Sequence, residues 1–312
     1  MSNDLRAADS LRATAAAVRK LGLGHSLVIG YWALDIMTLG IFAKTFARPS
    51  VEDVFAAVAK HHLRCVQFNF SCAGLPGLPE HIETELTVRI RKVALERRIA
   101  IAAVSGTFNM IHPDTAKRRE GLRLLEVLAA ACARLDTKVI TLCTGTRDPE
   151  DMWRRHADND RAEAWRDLRV TLTKALTIAD KHGVTLGIEP ETGNVVDSAR
   201  KARGLLDEFQ SPRLKIVMDA ANLFHPGDLL RMTEILEEAI DLLGKDLVLV
   251  HAKALAPEGH SASLIPGEDA LDWELYFNLL RKVRFDGPVI LHGVAESDVG
   301  RSLTFLRERL GE

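Results

Sequence analysis

The feature that most limits the fold of this chain is an alternation. Eight short apolar runs are each followed by a stretch with helical periodicity or by a polar loop. The runs are SLVIG (26–30), CVQFNF (65–70), AIAAVS (100–105), KVITLC (138–143), VTLGIE (184–189), LKIVMDA (214–220), LVLVHA (247–252) and PVILHG (288–293). Continuous hydrophobicity in runs of this length suits strands covered on both faces. Between them lie amphipathic segments such as VEDVFAAVAKHH, GLRLLEVLAAACARL, AEAWRDLRVTLTKALTIADKHG and LDWELYFNLLRKV. Strand followed by helix, repeated, builds right-handed βαβ units. Eight such units favour closure into a barrel. An open dinucleotide-binding sheet would carry GxGxxG after its first strand, whereas YWALDIM follows SLVIG.

The expectation is therefore an α/β chain, a (β/α)8 TIM barrel, forming a single domain over residues 1–312. A barrel of this kind needs about 250 residues, and no Pro/Gly/Ser-rich linker divides the sequence. Residues 31–49 read as a loop with a short helix, and SDVGRSLTFLRERLGE reads as the eighth helix. Two polar stretches, 144–160 and 254–271, read as long loops, which in compact barrels usually form lids or binding loops.

Composition excludes several classes. A net charge of -2 leaves no basic footprint for nucleic acid. The four cysteines form no CxxC pair, and the start has no apolar core of a secretory signal. No run reaches membrane-spanning length. A cytoplasmic chain with neither nucleic-acid nor membrane partner is expected.

In barrel enzymes the chemistry sits where strands end. Strand 5 ends in Glu189, strand 6 in Asp219, strand 7 in His251 and strand 8 in His292. Carboxylates and imidazoles on adjacent strands form a donor set for one divalent ion. Mixed oxygen and nitrogen donors suit Mn²⁺ first, with Co²⁺, Zn²⁺ or Mg²⁺ as alternatives. Lys253 lies two residues beyond His251, on the same side of an extended strand, where it could steady a developing enolate. Asn222 lies three residues past Asp219. His112 follows strand 3, and Trp153 and His156 lie in the loop after strand 4; all four are candidate substrate-binding residues. Asn69 and Asn109 could line the same pocket. Cys143 reads as a small buried residue, Glu191 as pointing away from the ion or supporting it, and Glu296 as solvated or capping a helix.

VTLGIEPE, MDAANLF, VHAKA and PGEDALDW resemble the xylose isomerase-like barrel superfamily, often described as sugar phosphate isomerases and epimerases. The resemblance runs from strand 2 onward and is strongest between 184 and 293. It implies Glu189, Asp219 and His251 as metal ligands. Its fourth ligand is usually a glutamate, where this chain has His292. It further implies an isomerase or epimerase acting on a sugar, keto-sugar or polyol-derived substrate through an enediolate, with Glu189, Lys253 and His292 as catalytic candidates. Homo-oligomers are common in the superfamily. The alternative within it is a lyase or dehydratase, because epimerisation on two faces uses the strand 8 glutamate as a second base. A non-catalytic sugar-binding subunit and an endonuclease are the remaining readings.

Overall fold

The computed structural model describes residues 37–259 and 264–311. Eight parallel strands close into a barrel in sequence order. They are β1 (Thr38–Phe42), β2 (Cys65–Phe68), β3 (Ala100–Ser105), β4 (Val139–Cys143), β5 (Thr185–Glu189), β6 (Leu214–Asp219), β7 (Leu247–Ala252) and β8 (Pro288–Leu291). The ring is sealed by pairing of β1 with β8, Thr38 opposite Pro288 through Ile41 opposite Leu291. Eight helices follow: α1 (Val51–Lys60), α2 (Thr84–Glu96), α3 (Thr115–Leu135), α4 (Ala162–His182), α5 (Ala199–Phe209), α6 (Met232–Leu243), α7 (Trp273–Lys282) and α8 (Val299–Leu310). Among the described residues, no helix is long and apolar enough to cross a membrane.

Seven of the eight expected strands fall within a few residues of their sequence positions. The first does not. The barrel's opening strand is TLGIF at 38–42, inside the stretch read as a loop, and the run at 26–30 lies outside the described residues. Gly40 explains the difference. Glycine weakens a strand signal, yet here a side chain would collide with its surroundings. A Cβ at Gly40 would stand 2.5 Å from Cys65 Sγ and 2.8 Å from Ile290 Cδ1. The backbone of β1 approaches its neighbours too closely for anything larger.

Two apolar layers form. The larger packs the outer faces of the strands against the helices. The smaller joins Phe42, Cys65, Ala103, Val217, Leu249 and Ile290, all from strands, and fills the barrel interior. Because side chains alternate along a strand, the inward position two residues further on is the next layer up. From Cys65 that position is Gln67; from Val217, Asp219; from Leu249, His251; from Ile290, His292. The register sets Asp219 directly beside His251, and Cys143 beside Glu189. The interior plug is thus the floor on which a polar layer rests.

Helix starts sharpen this positioning. Ser50, Asp114, Ser198 and Asp272 each accept a backbone N–H at the first turn of α1, α3, α5 and α7. Such caps are typically worth about 1 kcal/mol each.

Candidate metal centre

Glu189, Asp219 and His251 converge at the C-terminal mouth, each offering a donor atom within 4.8 Å of the others. His251 is fully enclosed. Its Nδ1 lies 3.3 Å from Glu189 Oε1 and 3.5 Å from Asp219 Oδ2. Its Nε2 lies 2.8 Å from Gln67 Oε1. Asp219 Oδ1 accepts the Ala221 N–H at 3.0 Å, while the buried Oδ2 makes no hydrogen bond. Burying a carboxylate oxygen without a donor is costly; the groups that face Oδ2 are His251 Nδ1 at 3.5 Å and Lys253 Nζ at 3.8 Å.

Electrostatics agrees with that arrangement. Burial opposes charge on His251, but the Glu189 and Asp219 carboxylates outweigh it and push its pKa up to about 9. Burial would likewise raise Asp219, yet Lys253 and His251 hold it below the usual carboxylate range. Lys253 is disfavoured by burial but held above its ordinary value by Asp219, Glu189 and Glu191. Two facing carboxylates thus draw a positive charge to the His251 Nδ1 position, and a divalent ion would satisfy the same geometry.

Asn222 joins the remaining groups. Its Nδ2 donates to Glu189 Oε1 at 2.8 Å and to Glu191 Oε2 at 2.6 Å, and its Oδ1 accepts from Lys253 Nζ at 3.1 Å. The amide orientation follows from chemistry: ionised carboxylates only accept and an ammonium only donates. Glu191 therefore stands beside Glu189 rather than pointing away. Burial, then the neighbouring Glu189 charge, pushes its pKa up to about 8.

His292 lies next to this group but outside it. Its ring stacks on His251 with centroids 4.8 Å apart and planes at 13°, and on its other partner, Phe42, at 5.1 Å and 15°. His292 stands in a stack beside His251 and is not among the residues whose donor atoms converge within 4.8 Å, Glu189, Asp219 and His251. Burial, then the adjacent His251 charge, holds His292 well below the ordinary histidine pKa, so it is neutral, and its Nδ1 is buried without a partner.

The outer candidates behave differently. His112 uses both ring nitrogens on backbone, Nδ1 accepting from Asp114 N–H at 3.0 Å and Nε2 at 3.1 Å from Pro149 O. It pins the loop after β3 to the loop after β4. His156 Nδ1 accepts the Asp158 N–H, capping a short 3₁₀ turn, Ala157–Asp160. Trp153 is 52% exposed. Asn69 caps the turn after β2, and Asn109 bonds the Thr146 backbone. Glu296 forms a forked pair with Arg48, away from the centre. Cys143 is buried, and burial first, then Glu189, raises its thiol far above the ordinary range. Two asparagines stitch the β4 and β5 loops: Asn194 Oδ1 accepts from Gly145 N–H at 2.6 Å, and Asn159 Nδ2 donates to Gly193 O at 3.0 Å.

Comparison with known proteins now bears on the whole arrangement. The sequence matches the xylose isomerase-like TIM barrel family across residues 29–309. The chain belongs to that family. Among curated proteins none matches it significantly. Solved structures with the same fold include the 3-keto-D-glucoside 4-epimerase of E. coli, with 17% identity and a TM-score of 0.65 over 87% of this chain and 99% of that one. A D-psicose 3-epimerase crystallised in the presence of D-fructose shows 18% identity and a TM-score of 0.69, covering 88% of this chain and 100% of that chain. The D-psicose 3-epimerase of Clostridium cellulolyticum H10, with D-tagatose, shows 16% and 0.67, covering 88% and 97%. At these identities the likeness carries the fold. In this xylose isomerase-like chain the strand 8 position holds His292 rather than the glutamate that the sequence resemblance implies.

Proposed function

We propose that this protein is a divalent-metal-dependent isomerase of a sugar, keto-sugar or polyol-derived substrate. Glu189, Asp219 and His251 would hold the ion, Mn²⁺ being favoured by their mixed donors. The observation that carries the reading is the pairing of this buried donor set with a separate carboxylate, Glu191, bridged to it by Asn222. Bound there, the ion would polarise a carbonyl and acidify the neighbouring C–H.

The chain's own residues supply the rest. Glu191 takes the proton from the carbon next to the carbonyl. The C–H electron pair becomes a C=C bond, and negative charge moves to the carbonyl oxygen. The Lys253 ammonium lies close enough to Asn222 and Asp219 to steady that oxygen. The hydroxyl proton of the neighbouring carbon then passes to that oxygen; the C=C pair takes the proton back from Glu191 at the former carbonyl carbon, and the deprotonated neighbouring oxygen becomes the new carbonyl. A group with a pKa near neutrality is suited to both transfers. One amide nitrogen of Asn222 donates to both Glu189 and Glu191, which gathers the two carboxylates side by side on a shared donor. This favours a proton that leaves and returns on one face over epimerisation across two. The β4 and β7 loops would bound the pocket, with Trp153 and His156 toward the outer sugar hydroxyls and His112 holding the β3 and β4 loops together. The same one-sided base, with no carboxylate ending β8, also suits β-elimination, which keeps a lyase as the second reading.

Turnover of a panel of polyhydroxy aldehydes and ketones by the Mn²⁺-loaded protein in deuterated water tests this. An isomer of unchanged formula, in part carrying deuterium at the deprotonated carbon, is the expected product. Release of water or another leaving group selects the lyase. Absence of both exchange and turnover across the panel rejects enolisation altogether.

Metal affinity should also depend on pH. His251 carries a proton at Nδ1 below about 9, and a bound ion needs that lone pair. Mn²⁺ affinity is expected to rise about tenfold per unit from pH 6 to 8.5, as displacement of one proton requires. The stability of the metal-free protein moves the other way. The raised pKa contributes stability fully below about 6.5, the value for an unfolded histidine, and that contribution is lost as pH climbs through about 9. A pH-independent Mn²⁺ affinity would remove His251 Nδ1 as a ligand.

A further inference from the structure

The side chain of Gln67 touches neither carboxylate of the centre, yet it crosses the barrel to reach His251. It is 3% exposed and sits on β2, one layer above Cys65. Its Oε1 lies 2.8 Å from His251 Nε2, and its Nε2 donates to Thr141 Oγ1 at 3.2 Å. Thr141, on β4, is itself buried. Three strands are thereby linked in one line, β4 to β2 to β7.

The direction of that line matters. A glutamine amide can present either its oxygen or its nitrogen, and a threonine hydroxyl accommodates both. The histidine decides. Its Nδ1 faces two carboxylates at 3.3 and 3.5 Å, so Nδ1 must carry a proton or meet a cation. With a cation there, Nδ1 has its lone pair engaged and the ring proton resides on Nε2. Nε2–H then needs an acceptor, and Gln67 Oε1 is the acceptor in place. Thr141 Oγ1 receives the amide nitrogen in that orientation and anchors its far side.

We propose that Gln67, anchored on its far side by Thr141, is a positioning residue that fixes His251 in the Nε2–H tautomer and so makes Nδ1 the metal-binding nitrogen. This rests on the metal site proposed above. The stack with His292 sets the tilt of the His251 ring, but stacking does not distinguish its two nitrogens. Only a hydrogen bond in the ring plane does, and Gln67 makes it. Partners of this kind behind a ligating histidine typically alter metal affinity by about 10- to 100-fold when removed.

The test is Mn²⁺ titration of the full-length protein, followed by calorimetry, on the wild type, Gln67→Met, Gln67→Glu and Thr141→Val. Gln67→Met keeps length but offers no strong acceptor, and is expected to weaken Mn²⁺ binding by about 10- to 100-fold. Gln67→Glu restores an acceptor and is expected to bind at least as tightly as wild type. Thr141→Val, which removes the anchor of the amide nitrogen, should fall between. Long-range ¹H–¹⁵N spectra of the Zn²⁺-loaded wild type should show the His251 proton on Nε2. Wild-type affinity in Gln67→Met, or equal loss in Gln67→Met and Gln67→Glu, overturns the role of Gln67 while leaving the metal site intact. Failure of the wild type to bind Mn²⁺ overturns the metal site itself, and this inference with it. Melting temperatures of the metal-free variants separate both outcomes from misfolding.

Discussion

Asp219→Asn is expected to lose Mn²⁺ binding by more than about 100-fold, beyond the range typical of lost supporting contacts, and to lower turnover by about 10³-fold or more. The substitution is conservative in shape. An asparagine Oδ1 can still accept the Ala221 N–H that Asp219 accepts now, so the turn after β6 survives. What vanishes is the charge on the oxygen that has no hydrogen bond, Oδ2. Lys253 and His251 both lean on that charge, at 3.8 and 3.5 Å. Removing it leaves two buried cationic groups facing Glu189 and Glu191 only. The metal-free variant should therefore also show a lower His251 pKa. His292→Ala is the matched comparison: because His292 stands outside the convergent donor set, this variant should still bind one Mn²⁺ per chain. Full Mn²⁺ affinity in Asp219→Asn, measured by titration, would dismiss the centre as described. Loss of the ion in His292→Ala, with folding intact, would restore His292 as a ligand.

Glu191→Gln should separate proton transfer from metal binding. Gln can still accept from Asn222 Nδ2, so the bridge to Glu189 and Lys253 persists in outline. It cannot take a proton. The expected result is a fall in kcat by roughly 10²–10⁴-fold, the usual contribution of a positioned acid/base, with Mn²⁺ affinity retained and KM little changed. Exchange of substrate hydrogen with deuterated water should decline in step with kcat. Wild-type kcat in Glu191→Gln would move the base elsewhere, and unaltered exchange with slowed turnover would assign Glu191 to a later step.

The two residues differ in how visible they were from sequence. Asp219, like Glu189 and His251, ends an apolar run, and the two-residue period of a strand places all three on the inward face. Glu191 obeys the same period, two residues past Glu189, but Pro190 suggests that the strand has ended and the alternation with it. The chain nonetheless keeps its direction long enough to set both carboxylates on Asn222. Gln67 was harder still. One amide within CVQFNF looks like an interruption of a buried strand, and its partner lies 184 residues away. Its inward period from Cys65 was the available signal. His292 sat at the expected strand end, but the orientation of a ring about its own bonds is set by neighbours, here Phe42, which belongs to a strand the hydrophobic pattern misplaced. The barrel was legible because it depends on repeated patterns; the hydrogen-bond directions and ring planes were not, because each depends on one distant residue.

The stack of Phe42, His292 and His251 joins β1, β8 and β7, and β1 with β8 is the seam that closes the ring. The seam brings together strands from opposite ends of the described chain. A ribosome releasing this chain has exposed Glu189, Asp219, His251 and Gln67 before the last strand emerges, but His251 then has no ring above it and the barrel no lock. Ordered donor geometry therefore depends on closing that seam, so a formed centre reports a closed ring.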